Sequence, residues 1–348
     1  VEGLDKSPEN VERARRYIQS LGLYGPVSVA LWGGGRLPYA ENLVNLLVVE
    51  RGEEVPHEEI MRVLAPGGVA LLKGLFGWRK VVKPWPKGMD EWTHYLHDST
   101  NNAVSKDELV GPPRHLRWTA GPLYCRSHEY NSSVSAMVSA KGRLFYILDE
   151  GPIGLIPTFD PRMPDRWFLV CRDAFSGVLL WKRPIEDWGW RAWRAKGLWS
   201  TPMTLPRRLV AVGDRVYVTL GYRAPLSELD ARTGEVLRTF GGTEDTDEIL
   251  HCDGLLVLRV RRIPKPGEKA KGPEFVMALD ADSGKVLWRR EEERLVPLTL
   301  AAGEGKVCYH NFEEVVCLDL RTGREVWRTP CEPCRSRPRG TAGTLVIY

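Results

Sequence analysis

The residues able to do chemistry gather in four places. Asp90-Glu91-Trp92-Thr93-His94-Tyr95-Leu96-His97-Asp98, followed by Asn101 and Asn102, sets two imidazoles three positions apart with carboxylates around them. On a helix, His94 and His97 would share a face and could hold a metal with Asp98 or Asp90. No third soft ligand lies at a fixed short spacing, so the expectation taken is a hydrogen-bonding role, with the metal site as the alternative. Cys331-Glu-Pro-Cys334 is a C-x-x-C pair, but Arg335 stands where covalent haem needs His, and zinc would want a second pair. A local disulfide or two thiols is expected, and no covalent haem. Arg126-Ser127-His128-Glu129 and Asp149-Glu150-Gly151 put polar groups at the ends of strand-like runs, where a binding mouth could form. Trp188, Trp190, Trp193 and Trp199 crowd one insertion. Their rings either stack on a sugar or protein partner or pack the insertion down, and packing is the expectation.

The elements that must position these groups repeat. Four segments superimpose without gaps: Asp173-Ala-Phe-Ser-Gly177 leading to Trp181, Asp230-Ala-Arg-Thr-Gly234 to Arg238, Asp280-Ala-Asp-Ser-Gly284 to Trp288, and Asp319-Leu-Arg-Thr-Gly323 to Trp327. Each lies between apolar runs and reads as a β-hairpin. The Asp binds turn amides, Ser or Thr adds a second acceptor, and Gly takes the positive φ. The ring four residues beyond Gly can pack between neighbouring sheets as a spacer. Upstream of each hairpin a Gly turn opens an alternating strand, at Gly142, Gly213, Gly254 and Gly305, and again at Gly343. Paired β-rich strands in repeated order predict a radial array of four-stranded blades. The turn Asp residues are 57, 50 and 39 positions apart, so the first intervals carry insertions. About four blades and the start of a fifth are expected over 119–348.

The string Leu-Asp-Ala-x-Ser/Thr-Gly-x-x-Leu-Trp resembles the repeat of pyrroloquinoline-quinone (PQQ) propeller proteins. That superfamily includes quinoprotein alcohol dehydrogenases and a non-enzymatic outer-membrane assembly lipoprotein. The resemblance implies the fold and favours an extracytoplasmic location, with a protein or carbohydrate ligand at the propeller face. It does not imply a bound PQQ, because most such repeats hold no cofactor. The adjacent cysteines found beside the quinone in the alcohol dehydrogenases do not occur here.

Residues 1–83 alternate strand and helix. Ser7-Pro8-Glu9 supplies a cap, a first-turn proline and an acid at the positive helix end. A helix through Ile18 ends at Leu21-Gly22, strands follow at Val27–Leu31 and Leu43–Val49, and helix His57–Leu64 is stopped by Ala65-Pro66-Gly67-Gly68 before a strand over Val69–Leu72. This order predicts a parallel α/β sheet. Gly3-Leu4-Asp5, Arg36-Leu37-Pro38-Tyr39-Ala40-Glu41-Asn42 and Glu59-Ile60-Met61-Arg62-Val63-Leu64-Ala65-Pro66-Gly67-Gly68 resemble class I S-adenosylmethionine-dependent methyltransferases from their second strand onward. The resemblance implies a partial Rossmann-like domain in which Asp5 accepts the ribose hydroxyls of S-adenosylmethionine and Gly33 and Gly34 line its adenine. Two departures stand out: the family's adenine-binding acid falls at Gly33, and its acid after Asn-x-Phe falls at Asn45. The family's first glycine-rich loop is not in the chain, and the true N-terminus is expected to precede Val1.

Between the two parts, 84–118 reads as a connector opening with Lys83-Pro84-Trp85-Pro86, and its histidines are expected to fasten it onto a propeller face. With Asp90-Glu-Trp-Thr-His94 and Gly111-Pro-Pro-Arg-His115 at the joint, the whole order resembles uncharacterised PQQ-like repeat proteins of bacteria such as planctomycetes. That resemblance carries no activity. The 49 basic and 45 acidic residues intersperse to a net +4. The densest basic run, Arg261–Lys269, contains Pro and Gly and reads as a solvated loop, so no nucleic-acid partner is expected. No apolar run reaches the ~18 residues of a membrane span. Taken together the sequence favours a binding or scaffold protein without redox chemistry, ahead of a methyltransferase with the propeller as recognition module, and of a quinoprotein oxidoreductase.

Overall fold

A computed structural model describes residues 1–51, 55–112, 116–122, 133–151, 166–193, 202–262, 272–331 and 343–348. The chain divides into two compact units, 1–87 and 88–348, so most of the expected connector belongs to the second. No described helix is long and apolar enough to cross a membrane.

In the first unit, β1 (Glu2–Asp5) and β2 (Ser28–Leu31) pair in parallel across α1 (Pro8–Ser20). Ser7 caps that helix through its hydroxyl, which accepts from the Asn10 amide at 3.2 Å. β3 (Val44–Val49) and β4 (Leu64–Gly74) pair in parallel across α2 (His57–Val63), and β5 (Gly77–Val82) returns antiparallel to β4. The expected single Rossmann-like sheet is therefore two shorter sheets, because β1 and β3 each pair only with their own crossover partner. They share one apolar core, in which Ile60, Val63, Leu64 and Ala70 are buried against Leu4, Val44 and Leu47. The strand expected at Val69 starts at Leu64, directly after the helix. Gly68 permits this, since a Cβ there would lie 2.8 Å from the Ala65 carbonyl and 2.9 Å from that of Val44.

The second unit holds four consecutive four-stranded antiparallel sheets. They are β6 (Val134–Ala140), β7 (Arg143–Asp149), β8 (Trp167–Asp173) and β9 (Leu179–Pro184); β10 (Leu209–Val212), β11 (Arg215–Thr219), β12 (Leu226–Asp230) and β13 (Val236–Thr239); β14 (Thr246–Cys252), β15 (Leu255–Arg261), β16 (Glu274–Asp280) and β17 (Val286–Glu292); and β18 (Ala301–Gly303), β19 (Lys306–His310), β20 (Glu314–Asp319) and β21 (Glu325–Pro330). The first strands β6, β10, β14 and β18 neighbour one another in turn, which makes them the innermost strands of propeller blades. Residues 343–348, expected to open a fifth blade, form no strand.

The apolar cores lie between blades. Phe145 and Leu169 of the first pack with Leu209 and Val216 of the second. Tyr217 and Leu226 pack with Ile249 and Leu256, and Leu250 and Val257 with Val307 and Tyr309. At roughly 1.5–3 kcal/mol for each fully buried aliphatic side chain, these seams hold the array together.

The repeated hairpins form as expected. Asp173, Asp230, Asp280 and Asp319 each accept the amide three residues on at 2.7–3.1 Å. Gly177, Gly234, Gly284 and Gly323 adopt φ of +72°, +74°, +75° and +67°. A register shift falls immediately before each Asp. The spacer reading holds for Trp181 and Trp288, while Trp327 is exposed. The Trp181 indole donates to the Ala231 carbonyl of the next hairpin at 3.0 Å and lies over Gly234; Trp288 does the same to Leu320 at 2.9 Å over Gly323. Trp118, ahead of the first blade, docks on Ala174 and Gly177 in the same manner.

Candidate functional site

Residues 92–101 form a strap across the innermost strands. The Trp92 carbonyl accepts from Ser139 N in β6 at 2.7 Å, and that of Thr93 accepts from Ala211 N in β10 at 3.0 Å. His94 Nε2 accepts from His251 N in β14 at 2.9 Å. The Ser99 carbonyl accepts from Ala302 N in β18 at 2.8 Å, and that of Thr100 from Ile347 N at 3.0 Å. One bond per blade, each near the trailing end of its strand, stitches the four blades and the last described segment to a single piece of chain. Buried strand-end amides need partners, and the strap supplies them.

This geometry corrects the helical reading of the two histidines. The segment is a tight loop closed by His94 N donating to the His97 carbonyl at 3.1 Å, with His97 at φ +70°. Because His94 Nε2 accepts an N–H, its proton sits on Nδ1, 2.7 Å from Thr93 Oγ1. Burial, with the nearby His251 second, pushes His94 down to about 3, so the ring is neutral. His97 turns the other way, with Nε2 2.7 Å from Asp90 Oδ2 and Nδ1 3.3 Å from Asp98. Burial works against a charge on Asp90, but the amides of Lys106 and Glu91 and the His97 ring outweigh it and hold the carboxyl at about 2. Both His94 nitrogens and His97 Nε2 thus have separate partners, while His97 Nδ1 is buried beside Asp98 without a hydrogen bond. Among the described residues no group of three His, Cys, Asp or Glu side chains could hold a metal.

At the leading ends of β10 and β14 lies a buried charged cluster that sequence reasoning missed. Arg207 donates to Asn101 Oδ1 of the strap at 2.8 Å and to the carbonyls of Leu300 and Leu298. Asn101 Nδ2 in turn donates to the carbonyls of Leu300 and Leu345, both at 2.9 Å. Glu248 accepts from Leu298 N at 2.8 Å, and its second oxygen lies 3.8 Å from Arg207. Arg259 pairs with Asp247 at 2.9 Å and Glu274 at 2.7 Å. The signal was present, because Asp-Glu at 247–248 and Arg259 interrupt otherwise apolar strands. Burial raises Glu248 above the ordinary carboxylate range, against the pull of Arg207 and Arg259.

The spare oxygen of Glu248 already faces a guanidinium, so a cation bound there would stand against Arg207. The other carboxylates are neutralised by Arg259, and taking one away would leave a buried arginine uncompensated.

The remaining candidates scatter. Asp149 caps the amides of Gly151 at 2.8 Å and Arg166 at 3.2 Å, and Glu150 pairs with Lys182. Trp188 and Trp193 are buried, with Trp193 5.4 Å from Trp167, so these two rings pack the insertion down. Cys331 is exposed. Arg126–Glu129, Trp199, Cys334, Arg335 and most of Arg261–Lys269 lie outside the described residues. Asp5 ends β1, where its Oδ1 accepts from Ser7 N at 2.7 Å, and that bond chiefly lowers its pKa. Gly33 and Gly34 follow β2 at the same carboxyl edge, with Gly34 against Lys6.

A model of the family described as outer membrane protein assembly factor BamB matches residues 272–347. No curated protein sequence matches. Similar solved structures include a europium-containing methanol dehydrogenase, at 12% identity and TM-score 0.44, covering 70% of this chain and 49% of that one. A quinohemoprotein alcohol dehydrogenase from Comamonas testosteroni has 13% identity and TM-score 0.41, over 71% and 42%. BamB from Moraxella catarrhalis has 15% identity and TM-score 0.30, over 57% and 58%. The chain spans about half the length of these proteins. None of them is a methyltransferase, so that resemblance stands on the motifs of residues 1–83 alone. The second unit is a β-propeller array by its own sheets and repeats, with the family match confined to residues 272–347.

Proposed function

We propose that the chain is a non-redox binding scaffold, located outside the cytoplasm, whose blades present a face to a protein or carbohydrate partner. The observation that carries this reading is the strap: its carbonyls, His94 and Asn101 satisfy the innermost strand amides and Arg207 with groups of the chain itself. What remains is a rigid array of hairpins suited to contact rather than to chemistry. Isothermal titration with PQQ and calcium tests it. No heat of binding is expected, and micromolar affinity would sink the scaffold reading in favour of a quinoprotein oxidoreductase.

A second reading has one observation in its favour. Asp5, Gly33 and Gly34 meet at the carboxyl edge of a parallel pair, where α/β sheets bind ligands. S-adenosylmethionine bound there would supply an activated methyl group. Asp5 would accept the ribose hydroxyls through Oδ2, which lies 3.4 Å from Asn10 Nδ2, and the two glycines would leave room for the adenine. Titration with S-adenosylmethionine should then show binding that Asp5→Ala abolishes. Binding that survives the substitution would remove Asp5 from the site.

A further inference from the structure

The β4–β5 hairpin turns through Leu75-Phe76, with Gly74 paired to Gly77 and Lys73 to Trp78. Two-residue hairpin turns favour Asn, Asp and Gly, so leucine and phenylalanine do nothing for the turn itself. Leu75 is 91% and Phe76 104% exposed, with Trp78 beside them at 52%. A single exposed leucine needs no explanation, but a contiguous Leu-Phe-Trp tip does. The surrounding charge is of one sign. From Lys73 to Met89 there are five cations, Lys73, Arg79, Lys80, Lys83 and Lys87, and no acid. Lys73, Arg79 and Lys80 are exposed on the two strands just behind the tip, with the Lys73 ammonium 5.9 Å over the Trp78 ring.

We propose that this hairpin is a membrane-surface anchor for an anionic leaflet. An apolar tip, a tryptophan at its shoulder and a collar of lysine and arginine match, in that order, the acyl boundary, the interface and the phosphate layer of a lipid surface. A protein groove could take the Leu-Phe tip, but it would not call for cations on both strands and no acid through Met89. The anchor is independent of the scaffold reading, because neither uses the other's residues.

Flotation of the full chain with vesicles of phosphatidylcholine, with and without phosphatidylglycerol, tests the proposal. The chain should co-float with the anionic vesicles, stay behind with the neutral ones, and be released as ionic strength rises. Replacing both Leu75 and Phe76 by Ser should weaken partitioning at least about tenfold. Each of K73Q, R79Q and K80Q should weaken it about fivefold. The tip is exposed, so the melting curve of the double variant should match that of the parent; Phe76→Ala alone provides a gentler check. Equal flotation on both vesicle types, no flotation, or flotation indifferent to the double substitution would overturn the anchor. So would a change in sedimentation of the unbound chain on that substitution, which would mean the tip packs against a second copy.

Discussion

The blade hairpins and the strap do the same job, joining one sheet to the next, by opposite means. The hairpins use one device repeatedly: an indole laid on the glycine of the following turn, its N–H on the next carbonyl. The strap is a single segment that gives each blade a different group: a carbonyl from Trp92, another from Thr93, an imidazole from His94 and a carbonyl from Ser99. A repeated joint can vary in one copy without loss of the array, and it does, since Arg238 stands where the others have tryptophan. Among the described residues the strap has no second copy, so the loss of one of its bonds falls on the axis directly.

Substituting glycine under an indole sharpens the hairpin side of that comparison. In Gly234→Ala the new Cβ would lie 2.7 Å from the Trp181 ring at φ +74°, so both the backbone and the indole must yield. A cost of about 3 kcal/mol is expected, combining the left-handed penalty with displacement of a packed ring. Gly284→Ala meets the end of the flexible Arg238 side chain at 3.1 Å and the Phe240 ring at 3.4 Å. It should cost only about 1–2 kcal/mol, mainly the backbone term. Urea denaturation of the two variants compares them, and equal losses would mean that the docked indole adds nothing beyond the turn.

The strap is tested next by His94→Ala, which leaves the His251 amide buried without an acceptor and should cost about 1–3 kcal/mol. The parent also carries a pH signature. His94 is held near 3 in the folded chain against an ordinary 6.5, so between those values the unfolded chain binds the extra proton. This contribution to stability is complete above pH 6.5 and is lost as pH falls toward 3. His94→Gln keeps an acceptor but cannot titrate, so its stability should fall less steeply over that window. Parallel slopes for parent and variant in denaturation curves across the window would show that His94 is not the titrating group.

The same contrast explains what could be read from the residues. The hairpins were legible because Asp, Gly and Trp recur at fixed offsets and each has a local reason to be there. Most of the strap's partners lie far away in the chain: Asn101 meets Leu300 and Arg207, and His94 meets His251. No local pattern encodes such pairings. The spacing of His94 and His97 suggested a shared helical face, yet Asp90, seven residues back, draws His97 away and the chain turns left-handed at His97 instead. The α/β order of residues 1–83 was visible for the opposite reason, because a cap such as Ser7 acts within a few residues; the stop read at Gly67-Gly68 instead lies inside β4, the helix having ended at Val63. Whether β1 and β3 join one sheet depends on what lies between them, and local signals do not carry that; they stand in separate sheets.

The smallest effect is expected where the first two blades meet at their surface. Lys141 and Arg143, beside the hairpin joining β6 to β7, reach Asp214 in the turn before β11 at 2.6 and 2.7 Å. The hydrogen bonds from these two cations hold the Asp214 carboxyl at about 2. Its side chain is 41% exposed, however, and solvent screens the pair. Asp214→Asn should therefore cost under about 1 kcal/mol, and less at high salt. A folded-state value depressed below the ordinary 3.8 makes this contribution present above pH 3.8 and lost as pH falls toward 2. Its window meets that of His94 only between about 3 and 3.8, so the two can be separated on one titration above pH 3.8. If Asp214→Asn instead cost as much as Gly234→Ala, the blades would be joined by charge at their surface rather than by indoles, and the division of labour between hairpin and strap would have to be redrawn.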